Sequence, residues 1–164
     1  MEREIKVYNG GLGVDDRGTV AFCNGFDFKE VKRFYTVDNS DYMFIRAWHG
    51  HKNEGKYVTV VACTAVIGTI DLRGYEYWEQ IDKAMKEPDP PDYLTDAPHR
   101  RFVLSEKKPQ VVWIPPGFIN GAMNLDENTK IMYFSTKGLG ESEGDDYRFD
   151  WDLWGTDFWE IKYR

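Results

Sequence analysis

Short apolar or alternating runs, cut by clusters of turn residues, recur along the whole chain and predict an all-β sandwich or barrel. The runs that qualify as strands are 4–8, 18–24, 32–38, 43–51, 56–71, 100–104, 110–114, 119–125 and 129–135. Between them stand Asn9-Gly10-Gly11, Asp15-Asp16-Arg17-Gly18, Pro115-Pro116-Gly117 and Asp126-Glu127-Asn128. These are turn formers, because Gly and Asn tolerate positive φ and Pro presets φ near −65°. The β-branched stretch 58–72 reads as a buried strand pair with a tight connection between Cys63 and Ala65.

One segment departs from the β pattern. Within 77–86, Trp78, Ile81 and Met85 are spaced three and four apart and predict a helix. Glu87-Pro88-Asp89-Pro90-Pro91-Asp92 stops it and reads as an exposed excursion. Residues 138–146 read as a loop, whereas Tyr147 to Trp154 is too aromatic for a solvated tail and is expected to pack back on the body.

Length and charge narrow the picture. A chain of 164 residues without repeats or a linker reads as one domain, 1–164. Six Trp, ten Tyr and ten Phe demand burial or a cleft to line. A net charge of −7 argues against nucleic acid as a partner, while leaving room for a local basic pocket around an anionic ligand. Cys23 and Cys63 lack both CxxC spacing and the density of a disulfide scaffold, so both read as reduced thiols. No tripartite leader pattern and no apolar run of membrane-spanning length is present, which predicts a cytoplasmic protein without a membrane partner.

The chemistry concentrates in Ile45-Arg46-Ala47-Trp48-His49-Gly50-His51-Lys52, which holds two of the three histidines. On a strand, the period of two places His49 and His51 on one face and Trp48 on the other. Two imidazoles sharing a space can bind metal, move protons or form a satisfied polar patch. Histidine titrates near neutrality and so can take a proton from carbon next to a ketone. The charge that develops on the ketone oxygen then needs a nearby cation, and Lys52 and Lys56 are close in sequence.

A His-x-His strand also resembles the first half of a metal-binding cupin site, with Glu54 three residues past His51. In the second cupin motif, which Pro115-Pro116-Gly117-Phe118-Ile119-Asn120 resembles, Asn120 stands where a histidine would. A neutral amide is a weak ligand for transition metals. The expectation is therefore a site without metal or other cofactor, and His99, between Pro98 and Arg100, is expected to be exposed rather than a ligand. A metal-dependent, dioxygenase-like cupin is the competing reading.

Asp16-Arg17-Gly18, Asp38-Asn39, Arg46-Ala47-Trp48-His49, Lys56-Tyr57-Val58, Trp113 to Phe118 and Tyr133 together resemble the cupin-fold sugar-nucleotide epimerases typified by dTDP-4-dehydrorhamnose 3,5-epimerase. The resemblance implies a jelly roll, or double-stranded β-helix, with a short helix and an aromatic C-terminal segment. It implies His49 as base, Lys56 steadying the enolate and Tyr133 as acid on the opposite sugar face. Arg17 and Arg46 would hold the diphosphate, with Asn39, Asn120 and Tyr35 also on the substrate.

His51 is atypical of those epimerases. It resembles the Arg-Gly-x-His-Ala-His segment of the dTDP-sugar 3,4-ketoisomerases, in which both imidazoles shuttle protons on one face. Other departures are Asn120 for the second histidine, Leu139 for a second tyrosine and no counterpart of the aspartate that orients the catalytic histidine, for which Asp150 and Asp152 are the candidates. The expected activity is metal-independent epimerisation of a nucleotide-diphosphate 4-keto (deoxy)sugar for surface polysaccharide or deoxysugar synthesis. The alternatives are a 3,4-ketoisomerase or a nucleotide-sugar-binding cupin with little catalysis. A homodimer formed by N-terminal strand exchange is expected from the same resemblance.

Overall fold

The computed structural model describes residues 2–39 and 41–162. Two five-stranded antiparallel sheets face each other. The first runs β1 (Lys6–Asn9), β9 (Gln110–Ile114), β6 (Lys56–Ala62), β11 (Lys130–Ser135) and β4 (Arg33–Asp38). The second runs β12 (Tyr147–Arg148), β5 (Ile45–Gly50), β10 (Phe118–Asn124), β7 (Thr64–Asp71) and β8 (His99–Ser105). From β4 to β7 and again from β8 to β12 successive strands cross between the sheets, giving the expected all-β jelly roll. A separate hairpin, β2 (Gly11–Asp15) with β3 (Gly18–Phe22), pairs with neither sheet.

The long apolar run 56–71 divides at Cys63, which takes φ 60°. Its halves do not pair with each other, since β6 lies between β9 and β11 in one sheet and β7 between β10 and β8 in the other. The corner at Cys63 lets one β-branched run contribute to both layers. Alternation along β7 then assigns Ala65 and Ile67 to the cluster between the sheets, and Val66 and Ile70 to the opposite face.

The inter-sheet cluster is built on Val58, Val60, Ile67, Val112, Ile114 and Ile131. The other face of the second sheet is covered by α1 (Trp78–Met85), through Trp78 and Ile81, and by the aromatic C-terminal segment. Trp48 anchors that layer. It is 1% exposed, its ring lies 4.9 Å from Trp159, 5.0 Å from Phe158 and 6.2 Å from Trp154, and its Nε1 donates to the Trp151 carbonyl at 3.1 Å. The expectation that Tyr147 to Trp154 packs on the body therefore holds.

Five short elements escape the periodicity reading: β2, β12, α2 (Asp92–Thr95), α3 (Leu139–Ser142) and a 3₁₀ turn at Thr156–Trp159. Each spans only two to five residues, and β2 begins at Gly11, read above as part of a turn. Such lengths are too short for a period to declare itself. Among the described residues no helix is long and apolar enough to cross a membrane.

Candidate active site

Strand β5 does not keep strict alternation. Against β10 it pairs His49 with Asn120 and Arg46 with Ala122, so three steps on β5 match two on β10. The extra residue is a β-bulge, which re-aims side chains locally. As a result Arg46 and His49, three apart, both line one cavity, while Trp48 turns into the aromatic core.

The cavity has a volume of about 540 Å³ and takes walls from both sheets. The first sheet contributes Arg33 and Tyr35 of β4, Lys56 of β6 and Tyr133 of β11. The second contributes Arg46 and His49 of β5, Asn120 of β10 and Arg148 of β12, with His51 just beyond β5. Leu139, Ser142, Glu143 and Asp146, on α3 and the turn after it, close one side.

Within this wall His51 is the most constrained group. Its Nδ1 hydrogen-bonds the backbone carbonyl of Asp145 and lies 3.6 Å from Glu54 Oε2. A carbonyl only accepts, so Nδ1 carries the proton and Nε2 keeps its lone pair. Asp145 is itself locked, its carboxylate accepting the backbone N–H of Lys52 at 2.7 Å and of Asn53 at 2.8 Å. Burial lowers the pKa of His51, and Lys56 adds to this, while Glu54 and Asp145 oppose it.

His49 is half-buried and makes no ring hydrogen bond among the described residues. Its backbone is held instead, by pairing with Arg148 and by Asn120 Nδ2 donating to its carbonyl at 3.1 Å. Burial and then Arg148 lower its pKa, against an upward pull from Asp146. Both imidazoles are consequently neutral near pH 7 and able to accept a proton.

Beneath the imidazoles sits Glu54, whose side chain is fully buried. Oε1 accepts from Lys56 Nζ, from Ser135 Oγ and, at 3.2 Å, from Arg33; Oε2 accepts from Ser142 Oγ. Burial alone would raise its pKa. The donors from Lys56, Ser135 and Ser142 outweigh that and hold it at about 2.

Tyr35 and Tyr133 stack with centroids 5.2 Å apart and planes within 6°. Their positions follow from register, since the two residues are directly paired across β4 and β11. Burial pushes Tyr35 up to about 12 and Tyr133 higher still, so both phenols stay protonated at neutral pH.

The site residues expected from sequence are distributed unevenly. His49, His51, Lys56, Tyr133, Arg46, Asn120 and Tyr35 all line the cavity. Asn39 lies behind the wall, where its Oδ1 accepts from Arg46 Nε at 3.2 Å. Arg17 sits on the β2–β3 hairpin, exposed and paired with Asp15 of the same turn. Because that hairpin joins neither sheet, nothing among the described residues carries Arg17 to the cavity. Asp150 is exposed on Lys86 at 2.8 Å and Asp152 is exposed, so neither reaches an imidazole. His99 is exposed at the start of β8 against Phe158, outside the cavity.

Sequence reasoning did not single out Ser142, Asp145, Asp146 or Arg148, which reach the site through α3 and β12. Glu54 carried a signal: two residues before Lys56 on an extended chain, it can share that lysine's side. Among the described residues no group of three or more His, Cys, Asp or Glu side chains is arranged to hold a metal ion. The Glu54 carboxylate and His51 Nδ1, the natural candidates, are committed to internal partners.

Fold and cavity together define a cupin-type jelly roll with a cationic, imidazole-bearing cavity between its sheets. Sequence comparison finds no matching family model and no matching curated protein. Structure comparison is informative. The chain is similar to the dTDP-4-dehydrorhamnose 3,5-epimerase of Bacillus anthracis, crystallised with TDP and PPi, at TM-score 0.68 and 20% identity, over 91% of this chain and 80% of that one. The dTDP-6-deoxy-D-glucose-3,5-epimerase of Legionella pneumophila, in complex with dTDP-4-keto-L-rhamnose, gives TM-score 0.67 and 18% identity over 93% and 77%. A 3,4-ketoisomerase from Helicobacter canadensis gives 0.61 and 16% over 93% and 96%. These likenesses identify the fold as the one shared by sugar-nucleotide epimerases and ketoisomerases.

Proposed function

We propose that this protein is a single-domain, metal-independent epimerase of a nucleotide-diphosphate-linked 4-keto deoxysugar. The observation that carries the reading is the placement of an unprotonated imidazole, His49, and a protonated phenol, Tyr133, on opposite sheets lining one cavity. His49 takes the proton from a carbon next to the ketone. The resulting enolate oxygen is stabilised by Lys56, whose Nζ lines the same cavity and retains donors beyond the one given to Glu54. Tyr133 returns a proton from the other face, which inverts the carbon.

Arg46 and Arg148 supply the cationic wall that a diphosphate needs, and Arg46 is braced by Asn39. The neighbours crystallised with TDP or dTDP-sugars support this ligand class. Incubation with nucleotide 4-keto sugars in D₂O is expected to place deuterium at C3 or C5. No exchange across a panel of such sugars overturns the reading, and binding without exchange would leave a nucleotide-sugar-binding protein.

A second reading, 3,4-ketoisomerase, is favoured by one observation: His51 has its tautomer fixed and its Nε2 unprotonated beside His49. Two bases on one side suit a proton shuttle between neighbouring carbons. Movement of the carbonyl from C4 to C3 separates this outcome from inversion.

We further propose a cytoplasmic homodimer. The hairpin exposes Leu12, Val14, Val20 and Phe22 without pairing to either sheet, which suits exchange with a second copy. Sedimentation of the intact chain against a variant lacking residues 11–22 tests it, and a monomer in both would reject it.

A further inference from the structure

Two cations, Arg33 and Lys56, share the buried carboxylate of Glu54. The same carboxylate reaches in a third direction, through Ser142, to α3, whose Leu139 and Ser142 form part of the cavity wall. The Ser142 hydroxyl, whose one proton goes to Glu54, also lies 3.1 Å from the carbonyl of Gly138, at the N-terminal end of that helix. Glu54 therefore joins five segments around the cavity: β4 through Arg33, β6 through Lys56, β11 through Ser135, α3 through Ser142 and the end of β5 through His51.

We propose that Glu54 is a positioning residue, which holds Lys56 Nζ charged at the wall of the cavity and ties α3 over the same space through Ser142. Lys56 is 4% exposed, and a buried ammonium without a counter-ion gives up its proton. The groups that face it are Glu54, Arg33 and the Tyr35 ring on β4, His51, and Asp146 ahead of β12. Arg33 pushes the charge off Lys56; Asp146 acts with Glu54 to keep it on, but among the described residues Glu54 alone hydrogen-bonds it. With Glu54 ionised, the trio of Arg33, Lys56 and Glu54 carries one net positive charge next to neutral His51. That surplus is complementary to an enolate or another anionic group in the cavity, a consequence that rests on the function proposed above.

The test reads Lys56 directly, without substrate, and so stands apart from the reaction assigned. Side-chain ¹³C signals of labelled lysine are followed from neutral to alkaline pH in the intact protein and in Glu54→Gln, with Lys56 assigned by the signal missing from Lys56→Met. The Lys56 midpoint is expected to fall by about one pH unit or more in Glu54→Gln. An unchanged midpoint, even with a lowered melting temperature, would reduce Glu54 to a structural group and overturn the proposal. If Glu54→Gln does not fold, Ser142→Ala tests the second half: amide exchange should accelerate across 139–146 and stay unchanged in β6. Equal exchange in α3 before and after that substitution overturns it.

Discussion

His51 Nδ1 donates to the backbone carbonyl of Asp145, 94 positions away in sequence, and this one bond decides which nitrogen of His51 can act as a base. The acceptor is main chain, so no substitution of the Asp145 side chain removes it directly. What the Asp145 carboxylate does is hold the turn in place, on the N–H groups of Lys52 and Asn53. Orientation that many enzymes obtain from a carboxylate on histidine is obtained here from a carbonyl locked by a carboxylate.

A pair of substitutions separates the two chemistries. If inversion is the reaction, Tyr133→Phe should lower turnover by about 10²–10⁴-fold and His51→Asn should be mild. For the ketoisomerase the order reverses. Product analysis by NMR alongside the rates identifies which carbon has changed.

Activity should persist into mildly acidic solution. Both imidazoles have pKa values lowered from 6.5, chiefly by burial, so the proton-accepting form survives below that pH. The acid limb of kcat/KM is expected below 6.5. A limb at or above 6.5 would mean that neither buried imidazole is the base.

Stability should fall in acid through Glu54. Its pKa is depressed from 4.5 to about 2, so its contribution is complete above 4.5 and is lost as pH drops through about 2. For this fully buried side chain the contribution is on the order of 3 kcal/mol. Urea unfolding of the parent and Glu54→Gln should converge as pH falls through that window.

Removing Arg46 should weaken the ligand more than the fold. Arg46→Ala is expected to cost about 2 kcal/mol of nucleotide-diphosphate affinity, roughly thirty-fold in Kd. Asn39→Ala, which removes only the brace, should cost less. Calorimetry with TDP measures both.

Trp48→Ala should act on the fold first. A fully buried tryptophan that meets three aromatic rings and donates to the Trp151 carbonyl is expected to cost about 3–5 kcal/mol. Chemical denaturation should show that loss, together with faster proteolysis in the segment after Asp150.

The sequence made the strands legible wherever burial is one-sided or complete. Gln110–Ile114 has the bounds that its apolar run predicts, and most other strands fall within two residues of theirs. The helix at 78–85 was equally legible, since Trp78 and Ile81 mark a face that must be covered. The site was legible as residue types: imidazoles at 49 and 51, the lysine at 56 and the tyrosine at 133. Asp150 and Asp152 were misleading because linear nearness to packed aromatics says nothing about which way an acid points.

What the sequence determined by itself is the hydrophobic pattern and the stock of titratable groups, because these are properties of single residues and their immediate spacing. What only the tertiary structure decided is which of those groups meet. The bulge that brings Arg46 and His49 to one face exists only in register against β10, and strict alternation would have separated them. The Asp145 carbonyl on His51 and Ser142 on Glu54 come from a turn and a four-residue helix placed by docking, not by any period of their own. Protonation in this cavity is set by burial and by neighbours from distant strands, and neither is a quantity that a linear chain contains.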